Sequence, residues 1–479
     1  MLAVKTIKGA GWLVFSRFLG RIIDFFTLLV LARVLTPGDF GLAAIATSLV
    51  VVVDTVLEVP VTQALVRLPT INKSHLDTGF TVGVMRGVVI GAIVLAIAWP
   101  YSWINHDSHL VLLVAVLSLG PISRGLASPA MVNFARELGF RQTFILESSG
   151  KLTAALVAVF VVLAGGAYWA IVANFVVASL ASTIVSYVLA PYRPAFSLAR
   201  LPDFAGFIGW FSSAQLISAL NWQFDRFLVG ALADRPTLGR YAVASDVAVI
   251  PTQSLIGPAL QPVMAAFSQI NTDRVRVRQA FLKATRIAMM VSAPACVGIS
   301  LTADLATDIL LGAKWEHAAP LLSLLALAVA PIPYVQTLSS VSIALDRPQI
   351  IFRLNAIDLT FRVLLISIGF YLASVTGVSV ARIALSSLMF AFYLAEARRL
   401  LDVSFAAQLL NIWKVVVAVA LMAVAVWLLR EELAGRNFPH VVELGIAIAA
   451  GAATYAAGLL LLGVRVAAGR GRLALYDRY

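Results

Sequence analysis

The chain reads as an all-α membrane protein of about 14 transmembrane helices. Three observations predict this: an apolar excess, a regular alternation of apolar and charged stretches, and a one-sided placement of basic residues. Of its 479 residues, 61% are hydrophobic and only 13% charged. Soluble domains run near half apolar and about a quarter charged. No soluble core would hold that excess, so it faces lipid. A spanning helix uses about 20 apolar residues, because about 30 Å of hydrocarbon is crossed at about 1.5 Å per residue. The chain has room for a dozen or more spans and little else.

Taken in order, the candidate spans are 11–33, 39–59, 80–99, 109–133, 147–164, 168–190, 206–230, 239–267, 284–310, 319–345, 350–372, 375–397, 411–430 and 440–464. Turn chemistry marks several breaks between them: Thr36-Pro37-Gly38-Asp39, Gly165-Gly166, Arg235-Pro236 and Arg347-Pro348. The first span is not expected to be a cleaved leader. It is too long, carries Arg17, Arg21 and Asp24, and lacks a clear cleavage site. With the N-terminus in the cytoplasm, the cytoplasmic segments carry about 21 Lys and Arg against about 6 on the other side. That is the positive-inside pattern of an N-in, C-in protein with an even number of spans. The formal charge of +12 is therefore an orientation signal spread among loops, and not the patch of a nucleic-acid binder.

The sequence also repeats. At an offset of 198, Gly11-Trp12 returns as Gly209-Trp210, Phe26 as Phe224 and Gly41 as Gly239. Pro121-Ile122 and Pro331-Ile332 correspond in spans four and ten. Six spans separate the copies, so both enter the membrane in the same direction, a parallel repeat about the membrane normal. The expected organisation is an N-terminal six-helix lobe over 1–200, a C-terminal six-helix lobe over 201–400, and helices 13 and 14 with a cytoplasmic tail over 401–479.

Charges at membrane depth are costly, so they mark wet cavities or partners. In span one, Arg17, Arg21 and Asp24 fall at i, i+4 and i+7 on one face. Asp24 can pair with Arg21, and Asp54 and Glu58 of span two could neutralise Arg17. Deeper charges are Arg86, Arg124 and Lys151 in the first half, and Asp225, Arg226, Asp246, Asp358, Arg362 and Arg382 in the second. Arginine keeps its charge, and its fork matches phosphate oxygens. Arg17, Arg21, Arg86, Arg124, Arg226 and Arg362 are therefore candidate contacts to a phosphate-bearing ligand. Asp24, Asp54, Glu58, Asp225, Asp246 and Asp358 are candidate ion-pair or coupling residues. The competing reading is structural: pairs that lock helices, or stems that snorkel to the interface. It weighs most at Arg86, Arg124 and Lys151.

Other chemistry is missing from the sequence. His75, His106, His109, His317 and His440 lie in loops or at span ends and form no metal-ligand pattern with Cys296. That single cysteine, in an apolar stretch, reads as a buried inert thiol. Ser148-Ser149-Gly150-Lys151 imitates a phosphate loop, but the upstream glycine is missing and Leu152 replaces the required hydroxyl. No metal, cofactor or catalytic step is expected.

Several stretches carry a resemblance: residues 32–42 (Ala-Arg-Val-Leu-Thr-Pro-Gly-Asp-Phe-Gly-Leu), Gln63-Ala64-Leu65-Val66 before Asp77-Thr78-Gly79-Phe80, and Ala135-Arg136-Glu137-Leu138-Gly139-Phe140-Arg141. Leu238-Gly239-Arg240-Tyr241-Ala242-Val243-Ala244 and residues 312–322, from Gly312-Ala313-Lys314-Trp315 to Leu322, complete the set. In order and spacing the chain resembles the polysaccharide transporters of the multidrug/oligosaccharidyl-lipid/polysaccharide exporter superfamily. The likeness is to the Wzx-type flippases, in the colanic-acid and succinoglycan exporter branch. The resemblance implies two lobes around a cavity, alternating access, and a polyprenyl-diphosphate-linked oligosaccharide carried across the bacterial inner membrane. A polysaccharide polymerase and export machinery would be its partners, and Arg17 and Arg21 match the family's basic cavity residues. The rivals are a multidrug or cation antiporter of the same superfamily, which would favour acidic cavity residues, and a lipid II flippase. A membrane-embedded glycan polymerase would need a larger outer loop than these of about 5–12 residues.

Overall fold

A computed structural model describes residues 2–59, 61–68, 70–137, 139–256, 267, 270, 272–434, 436, 438–469 and 472–477. The expected eighth span, 239–267, lies partly outside the described residues, at 257–266. The fold is all-α through its apolar part. Among the described residues, nine helices are long and apolar enough to cross a membrane, and a bent pair, His109–Gly125 with Pro129–Arg136, makes a tenth.

The chain divides into two compact units. The first holds Met1–Ala242 with Asn355–Val363. Its helices are α1 (Leu2–Val34), α2 (Pro37–Val56), α3 (Val61–Arg67), α4 (Lys73–Ile104), α5 (His109–Leu117), α6 (Leu119–Gly125), α7 (Val132–Arg136), α8 (Phe140–Leu163), α9 (Trp169–Leu189), α10 (Pro202–Leu232) and the start of α11 (Arg235–Ala248). The Thr36-Pro37-Gly38-Asp39 break proves to be a helix start. Thr36 caps α2, its hydroxyl accepting from the Asp39 amide while the Asp39 carboxylate accepts from the Thr36 amide at 2.9 Å. Pro37 fills the first turn, where no amide is needed. Asn72 caps α4 in the same way, with His75 returning the bond.

Small residues set how closely these helices pack. Gly41 of α2 lies against the Arg235 carbonyl of α11, and Gly239 lies against the Pro37 carbonyl, so that a Cβ on either glycine would overlap backbone. The two contacts are reciprocal under the repeat offset: 239 − 41 and 235 − 37 both equal 198. Two glycines that the repeat equates thus meet each other's helix start.

The second unit holds Val243–Leu354 and Leu364–Tyr479. Its helices include α12 (Arg274–Leu301), α13 (Ala303–Leu310), α14 (Ala319–Ala328), α15 (Ile332–Ala344), most of α16 (Gln349–Leu401), α17 (Phe405–Ala434) and α18 (His440–Leu461). α16 is two helices joined at Ala373 and Ser374, whose φ of 52° breaks the run between the expected spans 350–372 and 375–397. Gly369 and Gly377 then let the two arms approach until a Cβ on either would overlap the other's carbonyl. α17 and α18, the expected addition, pack on α12. Val415, Val419, Met422, Val426 and Ala447 form a core with Met290, Ala293, Val297 and Leu301. Asn411 accepts from Arg286 at 2.9 Å and donates to the Leu282 carbonyl at 2.8 Å. Cys296 is fully buried beside Val249 and Val329. The expected tail departs from the all-α reading: Val464–Gly469 and Arg472–Asp477 pair as an antiparallel hairpin.

Candidate functional site

Charges of the first unit gather in three places. The first is α1 against α8. Small side chains at i, i+4 spacing on α1 form the packing face: the Ser16 hydroxyl donates to Glu147 at 2.7 Å, and Gly20 leaves room for the Lys151 stem. Lys151 crosses that gap and its ammonium meets the Asp24 carboxylate at 2.5 Å. Trp12 and Phe15 stack on Phe144 of α8 below this. Lys151 reaches Asp24 from 127 residues away in the sequence. Arg17 and Arg21 stand one position on from Ser16 and Gly20, about 100° round the helix, and are exposed.

The second place joins α2, α4 and α6. Asp54 does not neutralise Arg17 as expected. It is buried at the end of α2, and its two carboxylate oxygens take Arg86 and Arg124, each at 2.7 Å. The reason is local: the end of α2 packs on α4, so Asp54 faces these helices and not α1. Arg86 is also committed elsewhere, donating to the Leu57 carbonyl at 2.7 Å and the Asp54 carbonyl at 2.8 Å. It thereby satisfies carbonyls that the helix end leaves without amides. Arg124 has one carboxylate bond, lies over the Phe175 ring at 5.8 Å, and its side chain is 44% exposed.

The sequence reading missed the backbone around this cluster. Gly83, Gly87 and Gly91 repeat at every fourth residue of α4, the small-residue signal of close helix packing. A Cβ on Gly83 would sit 2.9 Å from the Gly125 carbonyl, and one on Gly87 would sit 3.0 Å from the Ile122 Cα. Directly after Gly125 the fourth span breaks and turns by 55°. Polar side chains of α9 satisfy the freed backbone: Tyr187 donates to the Leu126 carbonyl at 2.9 Å, and the Ser128 amide donates to Ser186 at 2.9 Å. Broken helices at membrane depth persist only with such help.

The third place is buried between α10 and the first-unit segment of α16. Arg362 faces two carboxylates, Asp225 at 3.3 Å and Asp358 at 3.0 Å, and the Tyr241 hydroxyl donates to Asp225 at 3.2 Å. Asn221, one turn before Asp225, donates to the Asn355 carbonyl at 2.8 Å. A single guanidinium bridging two acids on different helices is a helix lock. Of the remaining candidates, Glu58 lies half-buried just beyond α2, Arg226 half-buried on α10, and Asp246 exposed on α11 in the second unit.

Outside the spans, Asp77, the fifth residue of α4, accepts from the Tyr192 hydroxyl at 2.6 Å. Burial first, and then this bond, push the Tyr192 phenol above its ordinary range. Among the described residues, no group of three or more His, Cys, Asp or Glu could hold a metal ion.

Comparison with known proteins adds the following. A family profile described as "Polysaccharide biosynthesis protein" matches residues 30–320. The "Succinoglycan biosynthesis transport protein ExoT" of Rhizobium meliloti (strain 1021) is 25% identical over 328 residues, spanning 68% of this chain and 66% of that protein. The "Lipopolysaccharide biosynthesis protein WzxC" of Escherichia coli (strain K12) is 23% identical over 423 residues, spanning 86% and 85%. Among solved structures, a lipid II flippase MurJ in an inward closed conformation superposes with a TM-score of 0.78 at 14% identity, over 95% of this chain and 98% of that one.

Proposed function

The chain belongs to the polysaccharide biosynthesis protein family, and from that premise we propose that it flips a lipid-linked oligosaccharide repeat unit across the bacterial inner membrane. The relatives named for succinoglycan transport and lipopolysaccharide biosynthesis support this reading. The cargo is an undecaprenyl-diphosphate-linked unit for exopolysaccharide or other surface polysaccharide, moved by alternating access with no covalent step. The protein has fourteen spans, six plus six plus two, with both termini cytoplasmic, and it hands its cargo to a polymerase and export machinery.

One observation carries the cargo assignment: Arg17 and Arg21 are exposed on α1, inside the stretch expected as span 11–33. Arg21 is ten residues into the expected span 11–33, about 15 Å from its start. An arginine at that depth does not face hydrocarbon, because desolvating its charge is too costly; it faces water. A diphosphate cannot cross lipid unaided, and paired guanidinium forks on a wet face lower that cost. The lock at Arg362 is a poorer candidate, since a phosphate would have to displace two carboxylates.

Deleting the gene is expected to abolish a surface polysaccharide and leave its lipid-linked unit on the cytoplasmic face. Arg17→Ala and Arg21→Ala are each expected to abolish export at an unchanged level of protein in the membrane. Normal export in both variants would remove the phosphate role.

A further inference from the structure

The cluster at the end of α2 divides its work unequally between two arginines. Arg86 is fixed by three acceptors, with its side chain 15% exposed. Arg124 holds Asp54 by one bond, with its side chain 44% exposed. Beside Arg124 the fourth span breaks, and Gly83, Gly87 and Gly125 make its contact with α4 a seam of bare backbone. From these we infer that Asp54 is an internal competitor for phosphate: it holds Arg124 while no cargo is bound and yields it to a diphosphate oxygen when cargo arrives. The inference rests on the diphosphate reading above, and it adds a release device to the grip at Arg17 and Arg21.

Charge accounting favours the exchange. When Arg124 leaves, Asp54 keeps Arg86, so no buried carboxylate is stranded. Arg124 trades one anionic oxygen for another, which makes the step close to balanced. A balanced step is what a transporter needs, since a ligand shifts an equilibrium only by its differential affinity, and cargo held too well is not released. Asp54 is thus a positioning residue that acts through Arg124. The ligand chemistry is a diphosphate or phosphate ester. A lipid headgroup offers the same chemistry, and the bilayer composition separates the two sources.

The test uses the full chain in phosphatidylcholine nanodiscs with inorganic pyrophosphate and polyprenyl diphosphate as probes. Asp54→Asn is expected to bind both about fivefold more tightly, the factor by which a half-exposed ion pair competes. Export in cells is expected to fall in the same variant, because release slows. Adding Arg124→Gln is expected to erase the gain. Arg124→Gln alone, which removes only the exposed partner, is expected to keep the wild-type melting temperature and weaken probe binding. Unchanged or weaker binding in Asp54→Asn at unchanged melting temperature overturns the proposal. If Asp54→Asn does not fold, wild-type probe affinity in Arg124→Gln overturns it. Loss of the gain in phosphatidylglycerol nanodiscs assigns Arg124 to headgroups and overturns it as well. Failure of the underlying reading looks different: normal export by Arg17→Ala and Arg21→Ala, whatever Asp54→Asn does to binding.

Discussion

Arg362, Asp225 and Asp358 show how residue identity and partner count decide what a buried charge can do. One guanidinium serves two carboxylates, both well buried. Removing it takes the shared cation from both acids, and breaking a buried ion pair from one side costs several kcal/mol. Arg362→Ala is therefore expected to lower stability by about 3–5 kcal/mol. Arg362→Lys is expected to recover only part of this, because a point charge cannot bond Asp225 and Asp358 through separate nitrogens as the fork does. Thermal unfolding of the purified protein in detergent measures both. Arg17→Ala, on an exposed side chain, is expected to change the melting temperature little in the same assay. The contrast separates a charge that holds helices together from one offered to a ligand. Only the residue types were readable from the sequence. Local spacing offers Asp24 the Arg21 three residues away, but the contact with Lys151, made where Gly20 opens the way, has no such signal. Partners more than a hundred residues apart leave no local trace.

At the scale of elements, small residues and caps explain most of what the hydropathy pattern alone left blank. Thr36-Pro37-Gly38-Asp39 was legible as a break, and T-x-x-D with proline second is also a helix-start signature. Thr36→Ala is expected to cost about 1 kcal/mol by leaving an amide of α2 without its acceptor, measured as a lowered melting temperature. The glycines at 83, 87 and 91 were legible by spacing, but their partner Gly125 was not, since nothing in the sequence says which helix receives the face. Gly83→Leu and Gly125→Leu each put a side chain into backbone. Both are expected to lower protein level and melting temperature more than Thr36→Ala does, through forced separation of α4 and α6. The 55° turn after Gly125 had a trace in Gly125 and Ser128-Pro129 inside span four, but the polar residues of α9 that make its break tolerable did not.

At the scale of the whole molecule, the basic-residue bias and the repeat make one linked claim about direction. If six spans separate the repeats, residues before and after those six spans emerge on the same side, and the repeats are parallel. If the number were odd, they would emerge on opposite sides, and the repeats would be inverted. The reciprocal contact of Gly41 and Gly239 fits copies related by rotation, because each glycine meets the residue that the same offset assigns to the other. Cysteine labelling can decide the matter, since Cys296 is fully buried and can be replaced by alanine to give a silent background. Ala199 and Ser404 are exposed and flank the six spans in question, while Ala164 is exposed one span earlier than Ala199. In intact cells a membrane-impermeant maleimide is expected to label Ala164→Cys and to miss Ala199→Cys and Ser404→Cys until the inner membrane is opened. Opposite behaviour of positions 199 and 404 would break the six-span count and the parallel repeat together. Matched labelling of both in intact cells would keep the repeat and invert the orientation, placing Arg67, Arg136 and Arg141 outside, against the charge rule that set it.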